Sequence, residues 1–268
     1  MAKKTNTGKI GKRKSKKTST GGYSTLTSNK YLCDGMPFTY SEVCKNLRTK
    51  INMLVPDELL DSKMVEEAES GEAPRHRCKV IGVTSALPGE GKTTTSINFA
   101  YTIAETMERV CLIEADMRLP NLAKRFAIKE NPGLLNLLIG QNSFLEAIQR
   151  YRTKKGISIY TIVAGGVPPD PAELLDSDNM KKAIDFLRGK FDYIIIDLPP
   201  VTAVTDALVV SKYIDGLLLV VRQDYCDKQS LQYTMDQLNM TEDKLLGVVL
   251  NCAAGHSGGT AYYRKSNK

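Results

Sequence analysis

Short runs of Val, Ile and Leu recur between residues 78 and 252, and they alternate with longer segments whose apolar residues follow helical spacing. Continuous apolar runs are typical of strands buried on both faces. They predict strands near 79–84, 110–115, 157–163, 192–197, 216–221 and 246–250, and helices at 92–107, 134–139, 143–151, 172–188, 205–213 and 228–239. Repeated strand–helix units predict an α/β fold, with a mostly parallel sheet and helices on both faces.

A further helix is predicted over residues 39–54, ahead of the first strand. Thr39 and Glu42 have the spacing of a capping box at its start. One side of this helix is apolar and is expected to pack on the domain: Val43, Leu47, Ile51 and Leu54. Beside that stripe, charges recur every third residue, at Glu42, Lys45 and Arg48. Such a stripe is either a solvated face or a subunit contact.

The remaining segments predict tails and a linker around a domain spanning residues 39–252. Residues 1–38 form a basic tail that lacks an apolar pattern and is expected to be disordered. Residues 55–77 are acidic and connect the first helix to the first strand. Residues 253–268 are small, polar and Gly-rich, which predicts a flexible C-terminal tail containing tyrosines.

Composition places the chain among globular proteins, since 42% of its 268 residues are apolar and 25% are charged. The net charge of +7 belongs to the tail: without the nine Lys and Arg of residues 1–30, the rest carries −2. That tail can contact anionic lipid or nucleic acid, or merely aid solubility. No apolar run approaches the roughly 18 residues of a membrane span. The scattered cysteines are typical of reduced cytoplasmic thiols.

Residues 86–93, Ala-Leu-Pro-Gly-Glu-Gly-Lys-Thr, lie between a predicted strand and a predicted helix and have the pattern of a phosphate-binding loop. Glycines let backbone N–H groups turn towards phosphate oxygens, and the following helix N-terminus adds free donors. In this pattern the lysine, Lys92, reaches the β- and γ-phosphates, and the hydroxyl of Thr93 ligates Mg²⁺. The predicted nucleotide contacts are Pro88, Gly89, Glu90, Gly91, Lys92, Thr93 and Thr94.

Two predicted strands end in carboxylates. Residues 111–118 place Glu114 and Asp116 at one strand end, followed by Arg118, and the apolar run 193–196 leads directly to Asp197. In such sheets ligands bind at the carboxyl ends of the strands. Asp116 and Asp197 are therefore predicted to hold Mg²⁺ together with Thr93. Glu114 is left as a free carboxylate and a candidate base.

These motifs together resemble those of the bacterial protein-tyrosine kinases of capsule and exopolysaccharide synthesis, which have a P-loop NTPase fold. The resemblance covers roughly residues 40–252. Besides the phosphate loop, it rests on residues 111–118 (Cys-Leu-Ile-Glu-Ala-Asp-Met-Arg), 165–175 (Gly-Gly-Val-Pro-Pro-Asp-Pro-Ala-Glu-Leu-Leu), 197–200 (Asp-Leu-Pro-Pro), 205–207 (Thr-Asp-Ala) and 215–222 (Asp-Gly-Leu-Leu-Leu-Val-Val-Arg).

The resemblance implies an ATP- and Mg²⁺-dependent tyrosine autokinase that phosphorylates tail tyrosines of a neighbouring subunit, here Tyr262 and Tyr263. It implies a catalytic set, namely Lys92, Glu114, Asp116, Arg118 and Asp197. It further implies that Asn251 contacts the adenine. Self-assembly into a ring through Glu42, Lys45 and Arg48 is implied as well.

Three positions depart from the family pattern. Glu114 stands where the family has the aspartate that serves as base, and the extra methylene can displace the carboxylate from the reacting atoms. Lys45 stands where the self-association motif has arginine, and lysine lacks the planar fork of that side chain. The tail offers only Tyr262 and Tyr263 in place of a larger tyrosine cluster.

The resemblance also implies partners and a location. A separate transmembrane adaptor of polysaccharide chain-length control would activate the kinase, and a cognate phosphotyrosine phosphatase would reverse its product. The chain would be cytoplasmic, at the inner face of the cell membrane through the adaptor. Independently of the resemblance, the basic charge of residues 1–30 allows a contact with anionic lipid.

Two alternatives remain open at this stage. One is a partitioning or division-positioning ATPase of the related P-loop class, whose loop carries a signature lysine in Lys-Gly-Gly-x-Gly-Lys-Thr. Alignment on Lys92 places Leu87 at that lysine and Pro88 at the first glycine, which argues against this class. The other is a nucleotide-binding scaffold of the polysaccharide machinery that has lost transfer activity, because Glu114 departs from the family pattern and the tail has few tyrosines.

Overall fold

The computed structural model describes residues 38–57, 78–153, 155–241 and 244–253. In these ranges seven strands form a single sheet. They are β1 (Lys79–Ser85), β2 (Val110–Glu114), β3 (Gln149–Arg152), β4 (Ser158–Ile162), β5 (Tyr193–Asp197), β6 (Gly216–Arg222) and β7 (Leu245–Asn251). The strand order is β3-β4-β2-β5-β1-β6-β7, and all neighbours are parallel except β3 and β4. The predicted α/β class is confirmed.

The first described helix precedes β1, and the other helices lie between the strands along the chain. The helices are α1 (Phe38–Leu54), α2 (Lys92–Ala104), α3 (Leu122–Phe126), α4 (Leu134–Leu138), α5 (Phe144–Ala147), α6 (Pro171–Leu175), α7 (Asp178–Arg188), α8 (Asp206–Val210) and α9 (Lys228–Leu238). None of these helices combines the length and the apolar character needed to cross a bilayer.

Both faces of the central strands are buried, and alternate side chains along each strand pack into two separate hydrophobic cores, one on each face of the sheet. Ile194 and Ile196 of β5 belong to the core that includes α4, α7 and α8, whereas Ile195 belongs to the core beneath α1, α2 and α3. This period of two explains why the central strands appear in the sequence as unbroken apolar runs.

The register brings the predicted acidic strand ends together. Asp197 at the end of β5 pairs with Val83 of β1 on one side and with Glu114 of β2 on the other. The phosphate loop leaves β1 beside them. The carboxyl edge of β1, β2 and β5 is therefore the place where the candidate site is built.

Helix α1 confirms the predicted helix over 39–54, but its buried side differs from the predicted stripe. Cys44 and Ile51 are buried, whereas Val43 is 56% and Leu54 is 51% exposed. The hydroxyl of Tyr40 accepts a hydrogen bond from Asn98 Nδ2 at 3.0 Å, which orients the helix on α2. The packed face is thus rotated towards Tyr40 and Cys44, and the expected burial of Val43 and Leu54 is wrong.

The predicted helix over 143–151 is also wrong in its second half. Helix α5 ends at Ala147, and the chain continues as edge strand β3, antiparallel to β4. Tyr151 is buried while Arg150 and Arg152 are exposed, which is the alternation of a strand with one covered face.

The predicted helix over 172–188 is divided into α6 and α7. Ser177 ends the continuity because its hydroxyl accepts a hydrogen bond from the N–H of Met180 and caps α7. Helix α3, by contrast, has no counterpart in the sequence-based expectation. Residues 1–37 of the predicted N-terminal tail, most of the acidic linker over 55–77 and all but the first residue of the predicted C-terminal tail over 253–268 lie outside the described residues.

Candidate active site

The turn between β1 and α2 is built on two glycines in the left-handed region. Gly89 has φ +85° and Gly91 has φ +99°, conformations that other residues adopt only with strain. A Cβ on Gly91 would approach the side-chain nitrogen of Asn251 to 2.1 Å. Conformation and space therefore both require glycine here, as a loop whose backbone wraps a phosphate demands.

Glu90 braces this loop from the inside. Its carboxylate accepts the N–H of Leu87 at 2.7 Å and the N–H of Arg222, at the end of β6, at 3.0 Å. The side chain is fully buried and does not line the cavity. A contact from Glu90 to a phosphate would therefore have to come from its backbone N–H.

Lys92 lies between two carboxylates. Its Nζ is 2.7 Å from Asp116 Oδ2 and 3.9 Å from Asp197 Oδ1. Burial lowers the pKa of Lys92, but the charges of Asp197 and Asp116 outweigh it, so that the pKa is raised and the ammonium is held charged. An incoming phosphate would exchange one anionic partner of Lys92 for another.

Asp197 is enclosed by hydroxyl groups. Burial raises its pKa, while the charge of Lys92 and a hydrogen bond from the Thr93 hydroxyl act in the opposite direction. The Ser96 hydroxyl lies 3.2 Å from Asp197 Oδ1. Carboxylate and hydroxyl oxygens are ligands that Mg²⁺ accepts, usually one or two carboxylates completed by substrate phosphates and water. The residues present fit that ion when it is brought by a nucleotide.

Within the described ranges, no three or more His, Cys, Asp or Glu side chains cluster so that they could hold a metal without such help. The oxygen donors of Thr93, Asp116 and Asp197 suit an ion that is shared with a phosphate chain.

A cavity of about 350 Å³ opens in front of the loop. Eight of the predicted site residues line it: Pro88, Gly89, Gly91, Lys92, Thr93, Thr94, Asp116 and Arg118. The rest of the wall was not expected from the sequence, and it consists of Leu119, Asn121, Arg125, Pro199, Pro200, Ala203 and Val204. Glu114, Asp197 and Asn251 do not line it.

Glu114 is not the free carboxylate that the sequence predicts. Its Oε1 accepts the N–H groups of Asn121 and Leu122, both at 2.6 Å, and its Oε2 accepts the N–H of Ala164 at 3.0 Å. Burial raises the pKa of Glu114, and these three donors act in the opposite direction. Both oxygens are thus used to fasten the start of α3 to the end of β4.

Glu114 instead borders a separate depression of about 240 Å³, next to Gly165 and Gly166. Asp116, two residues further on, lines the cavity in front of the phosphate loop. The two carboxylates that were expected to act together therefore have different positions: Asp116 lines the cavity, and Glu114 binds the backbone of the segments behind it.

Two arginines stand at the cavity wall. Arg118 makes a bidentate pair with buried Asp206, with distances of 3.2 Å from Nε and 3.1 Å from Nη2. Arg125 of α3 lies 3.3 Å from the Thr94 hydroxyl and donates to the side chain of Asn121. Asn121 and Arg125 are four residues apart, a spacing that indicates neighbours on one face of a helix. Nothing in the sequence indicates that this pair of residues lies at the phosphate loop.

The other side of the loop is held by Asn251 and Tyr225. Asn251 Nδ2 donates to the backbone oxygen of Glu90 at 2.7 Å. Asn251, the residue predicted to contact the adenine, therefore lies next to the phosphate loop. The hydroxyl of Tyr225, in the turn after β6, donates to the backbone oxygen of Pro88 at 3.0 Å. Tyr225 was not expected from the sequence.

The three charged residues of α1 do not behave alike. Lys45 and Glu42 form a 2.8 Å pair on the surface, where both side chains are 43% exposed. Arg48 turns inward, and its Nη1 donates to the backbone oxygen of Thr102 at 2.7 Å. Arg48 therefore fastens α1 to α2 within one chain. Tyr262 and Tyr263, the predicted phosphate acceptors, lie outside the described residues.

Comparisons with known proteins agree with this geometry. Residues 78–246 match the protein family described as AAA domain. The chain is 35% identical over 173 residues to tyrosine-protein kinase YwqD of Bacillus subtilis, covering 65% of this chain and 72% of that protein. It is 38% identical over 176 residues to tyrosine-protein kinase CpsD of Streptococcus pneumoniae, covering 65% and 76%.

Among solved structures, the chimerical protein CapA2B2 is 28% identical and superposes with a TM-score of 0.72, covering 87% of this chain and 94% of that one. Sequence identity, coverage and fold agree with the resemblance drawn from the motifs. The chain belongs to the P-loop tyrosine-protein kinases of bacteria.

Proposed function

We propose that this protein is an ATP-dependent tyrosine autokinase that regulates capsular or exopolysaccharide synthesis. The observation that carries the proposal is the position of Lys92 between Asp116 and Asp197, at the mouth of a glycine-built loop and at the inner end of an open cavity. A buried ammonium beside two carboxylates suits a phosphate chain with its Mg²⁺, and the cavity leaves room for an acceptor.

The nucleotide would be held by the loop and the first turn of α2. Backbone N–H groups of residues 89–94 would cradle the phosphates, and Pro88, which has no N–H, would line the start of the loop. Lys92 would contact the β- and γ-phosphates, and Asn251 would contact the adenine. Mg²⁺, when bound, neutralises charge on the phosphates, and Thr93, Asp116 and Asp197 are the residues that would hold it.

The transfer forms a bond between the γ-phosphorus and the phenolic oxygen of tyrosine, and it breaks the bond to the oxygen that bridges to the β-phosphate, so that ADP leaves. Asp116 is the carboxylate of this site that lines the cavity. It is our choice for the acceptor of the phenolic proton, in place of Glu114, whose oxygens accept three backbone N–H groups. Arg118, oriented by Asp206, would help to position the acceptor.

The acceptors would be Tyr262 and Tyr263 of a neighbouring copy, since a Gly-rich tail can reach another subunit. Ring-like assembly through Glu42, Lys45 and Arg48 belongs to the same proposal. So do a transmembrane adaptor that activates the kinase, a cognate phosphatase, a peripheral position at the inner face of the membrane and a contact of residues 1–30 with anionic lipid.

The test is to incubate the full chain with ATP and Mg²⁺, with and without the cytoplasmic segment of the adaptor, and to map phosphotyrosine by mass spectrometry. Phosphate on Tyr262 or Tyr263 that is lost in Lys92→Met supports the proposal. Lys181→Met is the matched control, because Lys181 is exposed on α7. ATP turnover without phosphotyrosine would indicate the ATPase alternative, and nucleotide binding with neither activity would indicate a scaffold.

A further inference from the structure

The outer wall of the cavity is apolar, although the phosphate loop opposite it is polar. Five side chains form this wall: Leu119, Pro199, Pro200, Ala203 and Val204. Leu119 is 70% exposed, so its side chain is available to pack against a bound molecule. No step of nucleotide binding described above uses these residues.

The wall is fixed to the reacting end of the site. The N–H of Leu119 donates to Asp116 Oδ1 at 3.2 Å, so that the leucine is tied to the carboxylate beside Lys92. On the facing turn, the Thr202 hydroxyl donates to the backbone oxygen of Ala86 at 2.6 Å, and the N–H of Val201 donates to the backbone oxygen of Ser85 at 2.9 Å. These hydrogen bonds fix the positions of Leu119 and of the turn 199–204 relative to the phosphate loop.

The reaction geometry indicates what this wall faces. In phosphoryl transfer the attacking oxygen and the leaving oxygen lie roughly in line on opposite sides of the phosphorus. Asn251, the proposed adenine contact, donates to the backbone oxygen of Glu90, lies beside Gly91 and does not line the cavity. The acceptor must approach from the other side, where Asp116 and the apolar wall lie.

We propose that Leu119 and the turn 199–204 form the acceptor subsite and pack against the phenol ring of the incoming tyrosine. The inference rests on the proposed function and names the residues that would contact its tyrosine acceptor. A tyrosine places its hydroxyl beyond an apolar ring, so the ring contacts the wall while the oxygen reaches Asp116. A serine or threonine hydroxyl lies next to its own backbone and has no apolar group to fill the space between.

Binding is measured in the full chain carrying Tyr262→Ala and Tyr263→Ala, so that its own tail does not compete. The probe is a fluorescent peptide with the sequence of residues 256–268, added with Mg²⁺ and a non-hydrolysable ATP analogue and followed by anisotropy. The unlabelled peptide and its Tyr262→Phe/Tyr263→Phe form should displace the probe equally. The form with alanine at both positions should do so at least tenfold more weakly, since it lacks the rings.

The protein variants locate the subsite. Leu119→Ser and Val204→Ser should each weaken probe binding about tenfold and leave the affinity for the ATP analogue unchanged. Leu145→Ser is the matched control, because Leu145 is 86% exposed on α5 and does not line the cavity. Leu119 is exposed, so this variant is expected to fold.

Equal probe binding by the parent chain, Leu119→Ser and Leu145→Ser would overturn the inference, and so would undetectable binding to the parent. A failure of the proposed function is distinguishable from these results. Normal, wall-dependent peptide binding without phosphate transfer in the wild-type chain would contradict the kinase proposal and would support the subsite.

Discussion

Lys92 Nζ and Asp116 Oδ2 are 2.7 Å apart at the inner end of the cavity, and both side chains are nearly buried. In the proposed cycle this pair separates when a phosphate chain reaches Lys92, and Asp116 then turns to the metal or the acceptor. The carboxylate therefore repels the nucleotide when no ion is present and helps to bind it when Mg²⁺ is present.

Asp116→Asn should accordingly weaken the effect of Mg²⁺ on nucleotide binding. In chelator, the variant should bind ADP several-fold more tightly than the wild type, because a negative charge near the phosphates is removed. With Mg²⁺, that advantage should disappear or reverse. Titration with a fluorescent ADP under both conditions measures this, with Asp236→Asn on the surface of α9 as the control. An unchanged Mg²⁺ effect would remove Asp116 from the proposed metal site.

Glu90→Ala should damage the loop without touching the cavity. The N–H groups of Leu87 and Arg222 lose a buried, charged acceptor, and hydrogen bonds to charged groups contribute about 1.5–3 kcal/mol. We expect ADP affinity to fall at least tenfold and the free energy of unfolding to fall by about 2 kcal/mol. Calorimetric titration and urea unfolding test these values.

Glu90→Gln is the conservative partner, since its carbonyl oxygen can still accept one of the two N–H groups. Its ADP affinity and its free energy of unfolding should lie between those of the wild type and those of Glu90→Ala. If Glu90→Ala binds ADP as tightly as the wild type, the brace is not needed for the phosphate loop.

The sequence predicted the sheet and the phosphate loop because both are local patterns. Continuous apolar runs identified the buried strands, and glycine spacing identified the turn. The acidic strand ends converge because parallel strands end at a common edge, as the register of Glu114 with Asp197 shows.

What the sequence could not give is the direction in which a side chain points after the strand ends. Glu114 was predicted as a free carboxylate and candidate base, and Glu90 as a nucleotide contact. Both carboxylates instead accept backbone N–H groups from segments remote in sequence. The wall at Pro199 and Val204 depends in the same way on packing between loops. Edge strand β3 was missed because a four-residue strand beside a short helix gives a weak periodic signal.

Helix α1 offers a test of assembly that does not disturb the fold. Arg48→Ala should lower the free energy of unfolding by about 1 kcal/mol, because its bond to the oxygen of Thr102 holds α1 on α2. Lys45→Glu should change it by no more than about 0.5 kcal/mol, since the pair with Glu42 is exposed. Light scattering on Lys45→Glu then reports assembly alone. A mass equal to that of the wild type would exclude this face as the subunit contact.

The division of work between Asp116 and Glu114 is the central claim, and single-turnover transfer to tyrosine measures it most directly. Glu114→Gln keeps an oxygen for the backbone donors at Asn121 and Leu122, so it should transfer phosphate within tenfold of the wild-type rate, with a lower Tm. Asp116→Asn keeps an oxygen for Lys92 and for the N–H of Leu119, so it should remain folded, and it should lose at least about 100-fold in rate. The reverse pattern, with Glu114→Gln inactive at an unchanged Tm and Asp116→Asn active, would contradict the account.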